Sequence, residues 1–154
     1  MQTEPIDFVL FGAGGDLARR KLLPALMHLE FDELLPEKIR ILALSREETN
    51  VENFMAGQKA TLQAYLGEQR WSKALWETFC QRVHYVRVEF TEVDQYEALH
   101  QELDPAHTSV FYFATPPILF QVICENLSAA GCLNQNSRVV LEKPIGRNFD
   151  SCKE

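Results

Sequence analysis

Phe8-Val9-Leu10-Phe11-Gly12-Ala13-Gly14-Gly15-Asp16-Leu17-Ala18 carries an apolar run into a glycine cluster, and a helical pattern follows over residues 19–29. Strand, tight turn and helix N-terminus, in that order, build a cradle for the pyrophosphate of a dinucleotide. Glycine takes a positive φ without a Cβ clash, and a missing side chain lets phosphate approach the backbone N–H groups. The helix adds its unbonded amides and the positive end of its dipole. Gly12 and Gly14 meet the first two glycines of G-x-G-x-x-G/A, while the third position falls on Leu17 or, one further, on Ala18. The fit is loose, and a ligand-free turn between a buried strand and a helix is the alternative.

The totals narrow the classes. A chain of 154 residues is long enough for one domain with a hydrophobic core and too short for two ordinary ones, so residues 1–154 are expected to form a single domain. A hydrophobic share of 46% and a charged share of 24% are those of a globular protein, which argues against disorder. The formal charge of −7 argues against broad affinity for nucleic acid or an anionic membrane, so any anion site must be local. The sequence has neither an apolar run long enough to cross a bilayer nor a basic segment leading into an apolar one at its start, and a cytoplasmic location is expected. Cys80, Cys124, Cys132 and Cys152 form no C-x-x-C, so reduced thiols are expected, with Cys124 and Cys132 packed as small apolar groups. His28, His84, His100 and His107 show no ligand spacing, and no metal is expected.

Outward from the glycines, residues 6–11 read as a strand covered on both faces of a parallel sheet. Leu22, Leu23, Leu26, Met27 and Leu29 recur at helical spacing, with Pro24 set to bend the helix. Arg19, Arg20 and Lys21 are placed to help hold phosphate, with a solvated basic turn of helix as the alternative for Arg20 and Lys21. Residues 39–45 read as a second strand ending at Ser45, where a Rossmann βαβ unit faces the adenosine ribose. A carboxylate there binds the ribose diol, whereas the guanidinium of Arg46 pairs with a 2′-phosphate, so NADP is favoured over NAD; an exposed loop arginine is the alternative.

Residues 49–66 read as a helix with a Thr49/Glu52 capping box, and Trp71, Leu75, Trp76 and Phe79 mark the core face of another. Residues 84–90 alternate as a third strand near the sheet edge, and Asp94 with Glu97 offers the cap of a short helix. Residues 110–114 form a strongly apolar central strand halted by Thr115-Pro116-Pro117. That double proline is either a stiff turn where ligands bind in open α/β sheets or a helix start. A helix over 119–130 ends at Gly131, and residues 138–144 form a fifth strand, buried on the strand side, with Glu142 and Lys143 exposed at the sheet's carboxyl edge either near a bound nicotinamide or as a surface ion pair closing the strand. The fold expected is α/β, a Rossmann-type doubly wound and mainly parallel sheet with helices on both faces.

Taken together, Gly12-Ala13-Gly14-Gly15-Asp16-Leu17-Ala18, Ser45-Arg46, Phe113-Ala114-Thr115-Pro116-Pro117 and Glu142-Lys143-Pro144-Ile145-Gly146 resemble the coenzyme domain of the glucose-6-phosphate dehydrogenase family. Its G-x-x-G-D-L-A form of the fingerprint accounts for the loose fit to the general motif. The resemblance implies oxidation of glucose 6-phosphate to 6-phosphogluconolactone with reduction of NADP, the entry to the oxidative pentose phosphate pathway. It implies that Gly12, Ala13, Gly14, Gly15, Asp16, Leu17, Ala18 and Arg19 surround the coenzyme pyrophosphate, and that Ser45 and Arg46 meet the 2′-phosphate. Tyr112, Ala114, Thr115 and Pro116 would line the coenzyme groove. Glu142 would stand beside the nicotinamide, Lys143 between coenzyme and sugar phosphate, and Lys143-Pro144 would form a tight turn.

The family's catalytic histidine lies in an R-I-D-H-Y-L-G-K motif well after E-K-P, followed by a β-sheet domain that binds substrate and forms the dimer. This sequence, ending at Glu154, holds no such motif, and none of its four histidines matches. Hydride transfer from a sugar needs a general base at its hydroxyl. The expectation is therefore weak NADP binding and no dehydrogenase activity by this polypeptide alone, with glucose 6-phosphate and homo-oligomeric partners met only by a complete enzyme. A stand-alone NADP-sensing or regulatory module without catalysis is the alternative.

Overall fold

The computed structural model describes residues 4–142. Lys143, the Lys143-Pro144 bond and Cys152 lie outside them. Among the described residues five strands form one sheet: β1 (Ile6–Phe11), β2 (Ile39–Ser45), β3 (Val83–Arg87), β4 (Thr108–Phe113) and β5 (Ser137–Leu141). Every pairing is parallel, in the order β3-β2-β1-β4-β5. The chain leaves β1 for a neighbour on one side and later crosses to β4 on the other, so the winding reverses between β1 and β4, where doubly wound sheets bind ligands.

Alternation along the strands splits the core in two, because successive side chains point to opposite faces. Leu10, Ile41, Ala43 and Val83 pack on one face against α1 (Leu23–Phe31), α2 (Val51–Leu66) and α3 (Lys73–Arg82). Val9, Phe11, Leu42, Leu44, Phe111 and Phe113 pack on the other, against α4 (Tyr96–Glu102) and α5 (Phe120–Ala129). Both faces of β1 are thus covered, as its unbroken apolar run requires, and each large side chain buried here stabilises the fold by about 1.5–3 kcal/mol. Trp71, Leu75, Trp76 and Phe79 all pack into the first of these layers, as their spacing indicates.

Several local expectations are corrected. The Thr49/Glu52 box is not formed: Asn50 caps α2, its Oδ1 accepting from the Asn53 amide at 2.8 Å. Asp94 caps nothing, since a 3₁₀ turn (Val93–Gln95) precedes α4 and Gln95 instead accepts from the Glu89 amide at 2.7 Å. That bond also explains why β3 stops short of Phe90: Val88 still donates to the Ser45 carbonyl, but side chains then take over the ladder, with Tyr96 and Asn126 both donating to the Phe90 carbonyl. Cys132 is buried, whereas Cys124 lies on the outer side of α5 and is exposed. Strand β5 is exposed at Arg138, Val139, Val140 and Leu141 rather than buried, because among the described residues it is the sheet's edge and no helix covers it.

Pro24 acts one turn earlier than a simple bend. The helix widens to a π-turn over Ala18–Leu22, with the Leu23 amide donating to the Ala18 carbonyl, before α1 runs on through Pro24. Proline has no amide to return to the preceding turn, and the widened turn absorbs the mismatch.

Candidate functional site

A cavity of about 450 Å³ opens at the carboxyl rim of the sheet. Gly12, Gly14 and Gly15 after β1, Ser45, Arg46 and Glu47 after β2, Glu89 and Phe90 beyond β3, and Ala114, Thr115 and Pro116 after β4 line it. Parallel pairing in register brings these ends together: Phe11 is level with both Leu44 and Phe113. A second cleft, of about 500 Å³, lies at the opposite rim beside Arg40, Arg82 and His107, whose polar atoms are engaged in contacts within the fold.

The glycine turn is built by close approach. Gly12 holds φ +84°, and a Cβ there would stand 2.5 Å from the Ala114 carbonyl oxygen, so the loops after β1 and β4 touch only because that position is bare. Gly14 and Gly15 need no positive φ; a Cβ on Gly14 would come to 3.3 Å from Ser45 Oγ, and one on Gly15 to 3.3 Å from the Gly12 carbonyl.

The amides sort themselves into used and free. Gly12 and Ala13 both donate to the Leu44 carbonyl, at 3.1 and 3.0 Å, and so serve the fold rather than an anion. Gly15 donates to Gly12 and Arg19 to Gly15. Among the described residues no carbonyl or side chain accepts from the amides of Gly14, Asp16, Leu17 or Ala18. Unbonded amides at a helix start are the donors an anion takes.

The remaining expected residues are placed as follows. Ala13 and Ala18 are wholly buried in the core beneath the α1 side of the sheet, and neither lines the cavity. Asp16 is exposed and pairs loosely with Arg20 at 3.8 Å, and Arg19 is also exposed. Arg46 is exposed beside the cavity, with no ion pair from its guanidinium among the described residues. Tyr112 donates its phenol to Glu142 Oε1 beyond the end of β5; burial first, then the carboxylate, pushes the phenol up to about 12, so it stays protonated and donating. Thr115 and Pro116 line the cavity while Pro117 opens a 3₁₀ turn (Pro117–Leu119) leading into α5, so the double proline shapes the rim and starts a helix.

Sequence reasoning missed Glu47, Glu89, Phe90 and Leu119, which also line the cavity. Glu47 directly follows Ser45-Arg46, but its place in the cavity depends on a turn held by distant residues; Glu89 and Phe90 fall inside the stretch whose alternation reads as strand through residue 90, whereas β3 ends at Arg87. Two features fit a phosphorylated dinucleotide: the bare cradle with its free amides, and Thr115 Oγ1, buried without a partner at the same rim. Among the described residues no group of three or more metal-ligating side chains is brought together.

Comparison with known proteins agrees with this geometry. A family model described as "Glucose-6-phosphate dehydrogenase, NAD binding domain" matches residues 9–154. The chain is 40% identical over 152 residues to a glucose-6-phosphate 1-dehydrogenase of Gluconobacter oxydans, covering 96% of this chain and 31% of that protein. It is 36% identical over 152 residues to the glucose-6-phosphate 1-dehydrogenase of Dickeya dadantii, covering 98% of this chain and 31% of that protein. The crystal structure of a glucose-6-phosphate 1-dehydrogenase from Mycobacterium avium superposes with a TM-score of 0.88 at 26% identity, over 98% of this chain and 32% of that one. The chain thus spans about a third of the length of the relatives it matches. With a match over nearly its whole length, a doubly wound sheet and a bare glycine turn at the winding reversal, the chain belongs to the glucose-6-phosphate dehydrogenase family and carries its NAD binding domain.

Proposed function

We propose that the carboxyl-rim cavity holds NADP and that residues 1–154 act as the coenzyme domain of an enzyme oxidising glucose 6-phosphate to 6-phosphogluconolactone. The observation carrying this reading is the set of amides at Gly14, Asp16, Leu17 and Ala18 without an acceptor among the described residues, in and just after a turn that lines the cavity and cannot close if Gly12 bears a side chain. Those amides would take the pyrophosphate, Arg46 and Ser45 the 2′-phosphate, and Ala114, Thr115 and Pro116 would form the wall of the groove. When bound, the coenzyme supplies the hydride acceptor. Tyr112 would fix the Glu142 carboxylate at the nicotinamide end, next in sequence to Lys143, which we assign to coenzyme and sugar phosphate.

No histidine lines the cavity among the described residues, so this chain alone would bind coenzyme without turning over sugar. Glucose 6-phosphate and homo-oligomeric partners are met, in this reading, by the complete enzyme. A cytoplasmic location belongs to the same proposal; among the described residues no helix is long and apolar enough to cross a membrane.

Calorimetric titration of NADP and NAD against the chain and its Arg46→Ala variant tests the reading. Loss of a charge-assisted contact to the 2′-phosphate should weaken NADP by about 1.5–3 kcal/mol and leave NAD nearly unchanged. Equal losses for both coenzymes would remove Arg46 from the 2′-phosphate site. If the parent chain binds neither, the cavity is not a coenzyme site.

A further inference from the structure

The turn after β2 carries two opposite charges, Arg46 and Glu47, and its backbone is pinned on three sides. The Glu47 amide donates to Ser45 Oγ at 3.3 Å, Tyr85 Oη donates to the Glu47 carbonyl at 2.8 Å, and Arg87 Nε donates to the Arg46 carbonyl at 3.2 Å. With the backbone held, the side chain of Glu47 folds back over the glycine turn. Its Oε1 lies 3.5 Å, and its Cδ 3.8 Å, from where a Cβ on Gly14 would stand, and the residue lines the cavity with Gly12, Gly14 and Ser45. Neither carboxylate oxygen has a hydrogen bond or ion pair among the described residues.

A carboxylate with free lone pairs, at the end of the second strand and against the phosphate turn, matches the vicinal hydroxyls of an unphosphorylated ribose, each of which donates one hydrogen bond. The same charge repels a 2′-phosphate. Arg46 does the reverse: it attracts the phosphate and has nothing to accept from a hydroxyl. The other charged groups beside the turn are Glu48, next in sequence and exposed, Arg87, whose Nε is spent on the Arg46 carbonyl, and Glu89, which lines the cavity beyond β3, so the local field does not settle the contest for Arg46.

We infer that Glu47 is a specificity-determining residue: its carboxylate accepts from the ribose hydroxyls of NAD, so that the domain takes both coenzymes, and it opposes the preference for NADP that Arg46 creates. This rests on the proposed coenzyme site and sharpens it, since a sequence reading from Arg46 alone favours NADP. Gly14 is part of the device, because a side chain there would meet Ser45 and Glu47 and push the carboxylate out.

The test is a calorimetric titration of NAD and NADP against the full chain and its Glu47→Gln variant. Glutamine keeps the length and removes the charge, and the exposed carboxylate makes no hydrogen bond whose loss would unfold the chain. NAD should weaken and NADP tighten, raising the ratio of their dissociation constants about tenfold or more, the equivalent of one charge-assisted hydrogen bond. An unchanged ratio overturns the inference while leaving the coenzyme site standing. A second arm sets AMP against 2′-deoxy-AMP on the parent chain and the variant. Preference for AMP that disappears in Glu47→Gln supports the carboxylate contact, and equal binding of the two nucleotides by the parent, or a preference that the variant keeps in full, overturns it. Failure of the parent to bind any of these ligands overturns the site and this inference together, a result distinct from binding without discrimination.

Discussion

Gly12 is the residue on which the rim depends most directly. At φ +84° any L side chain is strained, and its Cβ would press to 2.5 Å on the Ala114 carbonyl oxygen and 3.2 Å on Thr115 Cγ2. The first effect costs about 1–3 kcal/mol by itself, and the second moves backbone that cannot yield without parting the loops after β1 and β4. Gly12→Ala should therefore lower stability in urea by about 2 kcal/mol or more and abolish coenzyme binding in variant that still folds; an unchanged unfolding midpoint would contradict the close packing. Gly12 was recognisable in the sequence because its neighbours on both sides had clear periods. Glu47 was not, since a carboxylate one residue past Arg46 enters the site only through a turn shaped by Tyr85 and Arg87, more than thirty residues away.

Among the elements, β1 is tied at its other end by a charge. Asp7, wholly buried in an otherwise apolar strand, accepts from Arg40 Nε and Nη2 at 2.8 and 2.7 Å, from the Asp104 amide at 3.0 Å, and bonds His107 Nδ1 at 2.8 Å. It thereby joins β1 to β2 and to the loop leading into β4. Burial alone would raise its pKa, but the bonds from Arg40, the Asp104 amide and His107 outweigh it and hold the carboxyl below its ordinary 3.8. A depressed folded-state pKa means the stabilisation is whole above the unfolded value and is lost as pH falls through the folded one. Asp7→Asn should thus cost about 3 kcal/mol at neutral pH, the low end for a broken buried pair because Arg40 keeps some solvent. The variant should also lose less stability than the parent between pH 5 and the acid limb, as followed by urea unfolding at stepped pH; parallel pH profiles would refute the assignment. The strand itself was legible from its apolar run, whereas the π-turn ahead of Pro24 and the Asn50 cap were not, since both depend on which of several adequate local bonds the packed helix retains.

At the scale of the whole molecule, the two sheet edges differ. Both edge strands of the described sheet are five residues long, but β3 keeps Val83 and Val86 buried, while β5 presents Val139, Val140 and Leu141 at 43%, 38% and 37% exposure. Those three residues alternate across the sheet, so apolar surface is open on both faces of the same edge. The sequence of β5 reads as buried because its composition is that of a covered strand; what covers a strand is a tertiary fact, and among the described residues nothing packs there as α4 and α5 pack on β4. A parallel edge strand whose outer main-chain groups have no partner strand among the described residues, and whose valines are open, is a template for pairing. The isolated chain should self-associate as its concentration rises in sedimentation velocity, and Val139→Lys should shift it toward monomer without changing coenzyme affinity, because the substitution lies on the strand rather than among the residues lining the cavity. A parent chain that stays monomeric throughout would show this edge to be protected. Association that survives Val139→Lys would instead direct attention to Ile118, 87% exposed in the 3₁₀ turn ahead of α5 beside the rim, and coenzyme would then be expected to compete with it.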